Sequence, residues 1–101
     1  MSERRAHPRV KGPFDGWWDG SGRQSGRIMD LSEGGCFVES ITQPTVGQVV
    51  FISITIGAGE IRLPADVLYG ESNQGFAVKF VDVPEAILEV LRQELERRRA
   101  Q

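Results

Sequence analysis

An N-terminal arginine cluster has the residue types and spacing that could bind an anionic ligand. The cluster is Arg4-Arg5-Ala6-His7-Pro8-Arg9. Pro8 disfavours helical geometry at His7, so Arg5 and Arg9 are expected on an extended segment. Guanidinium groups there can bind phosphate bidentately, pair with the Hoogsteen edge of guanine or stack on a purine. Alone, the cluster also fits a solvated basic tail, and that alternative stays open.

A second cluster, Asp30-Leu31-Ser32-Glu33-Gly34-Gly35, combines an acceptor, a hydroxyl and two glycines. A carboxylate at a strand end can accept the ring N–H and the exocyclic amine of guanine. Ser32 and a free backbone N–H can bind phosphate or base, and the glycines allow close backbone approach. The alternative is an ordinary Asx turn between two strands.

The residues needed for catalysis or metal binding are scarce. The chain has one histidine, His7, and one cysteine, Cys36. A Cys-His pair is conceivable, but a small buried thiol and a surface imidazole are the expected arrangement. No His-x-x-x-His or Cys-x-x-Cys spacing occurs. The sequence therefore predicts neither an enzyme nor a metal site.

Both clusters must be positioned by one small domain. The 101 residues are 40% hydrophobic, which suffices for a single core, so residues 1–101 are predicted to form one domain. A net charge of −2 excludes a generally basic, nucleic-acid-coating surface. Residues 1–11, however, hold four basic residues against Glu3 alone, a local charge of +3, and an anionic partner is expected there.

The predicted location is the cytoplasm, without membrane insertion. A single cysteine excludes an internal disulfide. The charged N-terminus lacks the apolar region of a signal peptide. The longest strongly apolar stretch, Val49 to Ile56, is too short to cross a bilayer.

Glycine turns and alternating apolar residues predict an all-β domain of six short strands. The Gly57-Ala58-Gly59 segment predicts a hairpin, and Pro64 requires a strand edge or a bulge. Trp17 and Trp18 are expected on opposite faces of a strand, one of them in the core. A closed antiparallel barrel is expected because closure removes exposed edges. The strands are predicted at Val10 to about Trp17, Ser25 to Leu31, Gly35 to Ser40, about Phe51 to Ile56, Ile61 to Tyr69, and Phe76 to Val81.

Residues 84–99 are predicted to form a C-terminal amphipathic helix. Asp82-Val83-Pro84-Glu85 has the pattern of a capping box with proline in the first turn. Arg97 to Arg99 complement the negative end of the helix dipole. The helix is expected to cover an open barrel end, and a partner-binding helix or coiled-coil arm is the alternative. Its apolar face consists of Ile87, Leu88, Leu91 and Leu95.

The two clusters together are more specific than either alone. Arg5-x-x-x-Arg9, followed about 20 residues later by Asp30-x-Ser32-x-x-Gly35, resembles the motifs of the bacterial PilZ domain family. The Gly75–Phe80 run resembles a late strand of that family, and the resemblance extends from about Glu3 to about Arg99. It implies a six-stranded antiparallel β-barrel with a C-terminal α-helix.

The resemblance also implies a ligand, cyclic di-GMP, a bacterial second messenger with two guanines and two phosphodiesters. By this resemblance Arg5 and Arg9 bind phosphate and guanine, while Asp30, Ser32 and Gly35 form the barrel side of the pocket. Arg4 and Gly34 are secondary contacts. No cofactor is implied, and nucleic acid is not an expected partner.

The implied mechanism is a switch in a signalling receptor. The flexible segment 1–11 folds over the ligand and changes the surface offered to an unidentified effector protein. Charge-assisted hydrogen bonds of roughly 1.5–3 kcal/mol each oppose an ordering cost of about 1–2 kcal/mol per residue. The expected dissociation constant is on the order of micromolar. The alternative is a PilZ-type protein–protein adaptor in which nucleotide binding is lost or incidental.

Overall fold

The structure, a computed structural model, describes residues 8–100, and these form seven β-strands and one α-helix. The strands pair antiparallel throughout, in the order β2-β1-β5-β6-β7-β4-β3. In chain order the elements are β1 (Gly16–Asp19), β2 (Arg23–Ser25), β3 (Arg27–Met29), β4 (Gly35–Glu39), β5 (Val49–Ile56), β6 (Gly59–Glu71), β7 (Gly75–Phe80) and α1 (Glu85–Arg99).

The prediction of a closed six-stranded barrel is wrong. The described residues form seven strands in a sheet that does not close, since its edge strands β2 and β3 do not pair with each other. The predicted strand from Ser25 to Leu31 divides at Gly26, before which β2 pairs with β1 and after which β3 pairs with β4. A Cβ on Gly26 would lie 2.9 Å from Val38 Cγ1 and 3.2 Å from Trp18 Cδ1, so glycine permits this change of neighbours.

The first predicted strand is also shorter than expected, because regular pairing begins only at Gly16. Before it, the chain touches the sheet through two isolated bridges, Val10 with Leu31 and Phe14 with Ile28. These bridges hold residues 10–14 against β3 and the segment that follows it.

The β5–β6 hairpin forms as predicted, and β6 tolerates its proline. Ile56 pairs with Gly59, and Gly57 takes a positive φ of 60°, which glycine adopts without strain. Strand β6 is internal, yet Pro64 lies just outside the last β6–β7 pair. Its carbonyl accepts a hydrogen bond from the backbone N–H of Val81 (2.9 Å). Because the nitrogen and the carbonyl of a strand residue point to the same side, the proline nitrogen, which cannot donate, also faces the place where regular β6–β7 pairing has ended.

The core lies under the inner face of the sheet. Trp18 is buried there, its ring 4.9 Å from that of Phe76 in an edge-to-face arrangement, and its Nε1 donates to Ser40 Oγ (3.2 Å). Trp17 lies on the opposite face, as the alternation predicts. The largest fully buried side chains are Phe14, Phe76, Ile28, Leu31, Ile52, Ile54, Leu63, Leu91, Leu95, Val38, Val50 and Val67.

Helix α1 packs its apolar face on this core, with Leu91 and Leu95 fully buried. The predicted capping box is wrong. Pro84 is the N-cap residue, no side chain caps the helix, and Asp82 has a positive φ of 51° outside it. Along residues 8–100, no helix combines the length and apolar character that crossing a membrane requires.

A buried carboxylate fixes the last turns of α1. Glu94 accepts hydrogen bonds from Arg97 Nη2 (2.6 Å) and Arg98 Nε (2.8 Å), and Arg98 also stacks on Phe14 at 4.5 Å. Burial alone would raise the pKa of Glu94, but the hydrogen bonds from Arg98 and Arg97 outweigh it and keep the pKa below its ordinary value.

Candidate functional site

A cleft of about 530 Å³ lies on the outer face of β4, β7 and β6. Five of the seven predicted site residues line it, and the other two, Arg4 and Arg5, lie outside the described residues together with His7. The structure thus brings parts of both sequence clusters to one place, and their role in binding stays a prediction. The five lining residues are Arg9, Asp30, Ser32, Gly34 and Gly35.

A pair of backbone hydrogen bonds brings the two clusters together. Val10 N donates to Leu31 O (2.8 Å), and Leu31 N donates to Val10 O (2.9 Å). Because Arg9 precedes Val10 while Asp30 and Ser32 flank Leu31, this antiparallel bridge places the arginine beside the turn. The arginine itself is exposed and faces the cleft.

The turn after β3 is shaped by its own polar groups. Asp30 has a positive φ of 50°, a conformation that aspartate tolerates better than most residues. Ser32 is buried, its Oγ accepts from Gly34 N (3.1 Å), and its backbone N–H donates to Gly35 O (2.9 Å). The Ser32 hydroxyl therefore maintains the turn, a role that the sequence pattern did not predict.

Gly35 is required by the close approach of two strands. It pairs with Lys79 across β4 and β7, and a Cβ at this position would collide with the carbonyl oxygen of Val78. The neighbouring Gly34 carbonyl accepts from Phe80 N (2.9 Å). Because Gly35 has no side chain, the turn can pack directly against β7.

One wall of the cleft departs from the period-two alternation of the strand predicted from Ile61 to Tyr69, which would place Tyr69 on the same face as Val67. A β-bulge shifts the β6–β7 register between Val67, which pairs with Val78, and Tyr69, which pairs with Ala77. As a result Leu68 and Tyr69 are both outward, 48% and 51% exposed, and both line the cleft. Strict alternation cannot predict such an inserted residue.

Across the three strands the cleft has a large–small–large profile. Phe37 on β4 pairs with Ala77 on β7, which pairs with Tyr69 on β6. Strands two positions apart are separated by about 9–10 Å, so Ala77 forms the floor of a groove between two aromatic side chains. A groove of this shape can hold a planar ring system.

The cleft contains cations without carboxylate partners among residues 8–100. Arg9 and Lys79 both line it, and neither lies within 4 Å of a described Asp or Glu oxygen. The acidic lining residues are Asp30 and Glu71. The cleft thus offers both anion-binding groups and hydrogen-bond acceptors.

Cys36 also lines the cleft, in surroundings that disfavour its thiolate form. Its side chain is buried, and burial, followed by the nearby charge of Asp30, raises the pKa of its thiol well above the ordinary value. Residues 8–100 contain no cluster of three or more groups that could hold a metal ion.

A protein-family model and several solved structures match this chain. The model of the PilZ domain family matches residues 3–97. Among solved structures, the inhibitor of motility (MotI/DgrA) from Bacillus subtilis has a TM-score of 0.82 at 16% identity, covering 98% of this chain and 53% of that protein. The chain therefore spans about half the length of that protein. No curated protein matches the chain.

Two further solved structures are similar over most of both chains. The PilZ domain of YcgR from Escherichia coli, determined with c-di-GMP, has a TM-score of 0.71 at 17% identity, covering 90% of this chain and 88% of that one. The PilZ domain of CeSA from a cellulose-synthesizing bacterium has a TM-score of 0.67 at 22% identity, covering 87% and 95%. At these identities the similarity establishes the fold.

Proposed function

Because the chain belongs to the PilZ domain family, whose members generally bind cyclic di-GMP and act in signalling, we propose that it is a cyclic di-GMP receptor. The ligand occupies the cleft between Arg9 and the turn from Asp30 to Gly35. The observation that carries this proposal is the Val10–Leu31 bridge, which joins the two motif segments at the cleft.

Each polar group of the cleft has a role that suits this ligand. The Arg9 guanidinium binds a phosphodiester or stacks on guanine, and Asp30 accepts the ring N–H and exocyclic amine of a guanine. Lys79, on the opposite side of the turn, adds a second positive charge for a dianion. Arg4 and Arg5 are proposed contacts from outside the described residues.

The groove supplies the apolar part of recognition. A guanine ring lies over Ala77, between Phe37 and Tyr69, with its polar edge toward the turn. The large–small–large profile explains why a planar base fits and why a bulkier floor residue would exclude it. The expected dissociation constant is on the order of micromolar.

Signal output passes through another protein. Contact of the ligand with Arg9, and with Arg4 and Arg5 outside the described residues, changes the surface that an effector meets. PilZ domains are regulatory receptor or adaptor domains rather than enzymes. An adaptor role is a second candidate, supported by the fold similarity to a protein named as an inhibitor of motility. The cytoplasmic location stays a prediction.

Calorimetric titration with cyclic di-GMP at moderate salt tests the receptor function. Micromolar binding is expected, with much weaker binding of GMP, linear pGpG and cyclic di-AMP, and no competition by an oligonucleotide. Absence of binding heat, confirmed by a second method, contradicts receptor function and favours the adaptor. Hydrogen exchange of residues 1–11 tests the switch separately, since equal protection with and without ligand contradicts it.

A further inference from the structure

One residue of the candidate binding turn contacts the helix instead of the cleft. Glu33 lies between Ser32 and Gly34, which line the cleft, but its carboxylate accepts a hydrogen bond from Arg92 Nε at 2.9 Å. Arg92 belongs to α1 and is 59 positions away in the sequence. The Glu33 side chain is 24% exposed, so this ion pair is partly shielded from water.

Arg92 holds three carboxylates at once. Besides Glu33, its Nη1 donates to Glu85 (2.9 Å) and to Glu89 (3.4 Å). The hydrogen bonds that Arg92 donates to Glu33 and then to Glu85 raise the pKa of Arg92, so it is charged at any working pH. Removing Arg92 would leave three acidic groups facing one another between the turn and the first turns of α1, and they would repel.

The start of α1 has few other polar anchors. No side chain caps its N-terminus, and its fully buried leucines begin only at Leu91, while Ile87 and Leu88 are partly buried against the core. Among the described residues, the side-chain hydrogen bond that joins this part of α1 to the turn is the one between Arg92 and Glu33. The same pair neutralises a carboxylate that adjoins a cleft suited to an anion.

We propose that Arg92 is a positioning residue for the cleft, acting through Glu33, and that it couples ligand binding to the docking of α1. The inference rests on the proposed function and adds its regulation. Since coupling is reciprocal, a helix that stabilises the binding turn is itself stabilised when ligand binds. A partner that displaced α1 would weaken ligand binding, and ligand would oppose that partner.

The test compares Arg92→Ala with Glu33→Ala in the full chain. Each variant is expected to bind cyclic di-GMP about fivefold more weakly, and the double variant no more weakly than either single one. The sign of the Glu33→Ala effect is decisive. If Glu33 acted only by its negative charge, its removal would strengthen binding of the anion, which overturns a positioning role.

Arg99→Ala is the matched control, because it removes the same charge from the same helix without touching the turn. Arg99 approaches only Glu96, at 4.0 Å, among the described residues. The affinity of the Arg99→Ala variant for cyclic di-GMP is expected to match that of the unaltered protein. Arg92→Lys keeps the charge but not the forked geometry, and is expected to recover part of the affinity.

Hydrogen exchange in the ligand-free protein separates this inference from the receptor function. Arg92→Ala is expected to speed exchange at the Ser32 and Gly34 amides relative to Arg99→Ala, while Leu95 stays protected. If the unaltered protein fails to bind cyclic di-GMP, receptor function is lost and exchange alone decides the coupling. Equal exchange and equal affinity in the two variants overturn the proposal.

Discussion

Two rows of residues on the outer face of the sheet share a large–small–large pattern, but only one of them borders an open cleft. Across β1, β5 and β6 the row is Trp17, Ser53 and Arg62, and across β4, β7 and β6 it is Phe37, Ala77 and Tyr69. The first row is closed, because Ser53 is fully buried. The second row opens into the cleft.

The difference arises from the third member of each row. The guanidinium carbon of Arg62 lies 4.5 Å from the centre of the Phe51 ring and 5.5 Å from that of Trp17, on the face of the sheet that carries Ser53. Tyr69 is rigid, with only two side-chain torsions, and remains half exposed beside Ala77. A small residue between two large ones therefore makes a groove only where neither neighbour can fold over it.

The charged side chains around the closed row, and the indole of Trp17, pair with one another. Arg62 pairs with Asp19 (3.4 Å), Arg23 stacks on Trp17 at 4.3 Å, and Trp17 Nε1 donates to Glu60 (3.3 Å). Arg9 and Lys79 at the open row have no carboxylate partner among residues 8–100. Charge and shape thus both distinguish the closed row from the candidate binding cleft.

The largest expected difference in ligand affinity is between two variants that each remove one arginine, one from the cleft and one from the closed row. Arg9→Ala is expected to weaken cyclic di-GMP binding by about 100-fold, through loss of charge-assisted hydrogen bonds. Its melting temperature should not change, because Arg9 is exposed. Calorimetry and thermal unfolding measure the two quantities.

Arg62→Ala is the matched variant at the closed row. It is expected to leave affinity within about twofold but to lower the free energy of unfolding by about 1 kcal/mol, since it uncovers Trp17 and Phe51. A similar loss of affinity in both variants would mean that the two rows do not differ in function.

Filling the open groove should give the next largest effect. Ala77→Leu is expected to weaken ligand binding about 30-fold by occupying the space of the base. Stability should fall by less than in the corresponding change at Ser53, because Ala77, although only 8% exposed, lines a cleft into which the added atoms can extend. Ser53→Leu, the corresponding change under Arg62, is expected to cost more than about 2 kcal/mol of stability. Denaturant unfolding of both variants tests the contrast, and equal costs would contradict it.

Much of the architecture follows from sequence features that act locally. The β5–β6 hairpin, the alternation of Trp17 and Trp18, and the apolar face of α1 are all set by near neighbours, and each is confirmed. The convergence of Arg9 with the Asp30 turn is what the family resemblance implies. The structure supplies its cause, the Val10–Leu31 bridge.

The sequence predictions that are wrong concern positions where contacts with other parts of the chain override the local pattern. Gly26 divides a predicted strand because two other segments crowd it. Asp82 has a capping pattern but lies in a left-handed conformation before the helix, and Glu85 binds Arg92 instead of completing a cap. Tyr69 faces outward because of a bulge that no alternation rule contains.

The outward position of Tyr69 leads to a smaller effect that sharpens the comparison. Tyr69→Ala is expected to weaken ligand binding about tenfold, the usual contribution of one aromatic side chain stacked on a base. Tyr69→Phe should keep nearly full affinity, because stacking needs the ring and not the hydroxyl. A loss in Tyr69→Phe equal to that in Tyr69→Ala would show that the hydroxyl, and not the ring face, contacts the ligand.

The smallest effect concerns the middle of the closed row. Ser53 Oγ is buried and has no hydrogen-bond partner among the described residues, so its desolvation is uncompensated. Ser53→Ala removes that hydroxyl and should raise the free energy of unfolding by about 1 kcal/mol, with ligand affinity unchanged. Denaturant unfolding measures the gain. A loss of stability would show that the hydroxyl finds a hydrogen-bonding partner in solution. Since that partner would have to reach Ser53 beneath Arg62 and Trp17, the row would then be open as well.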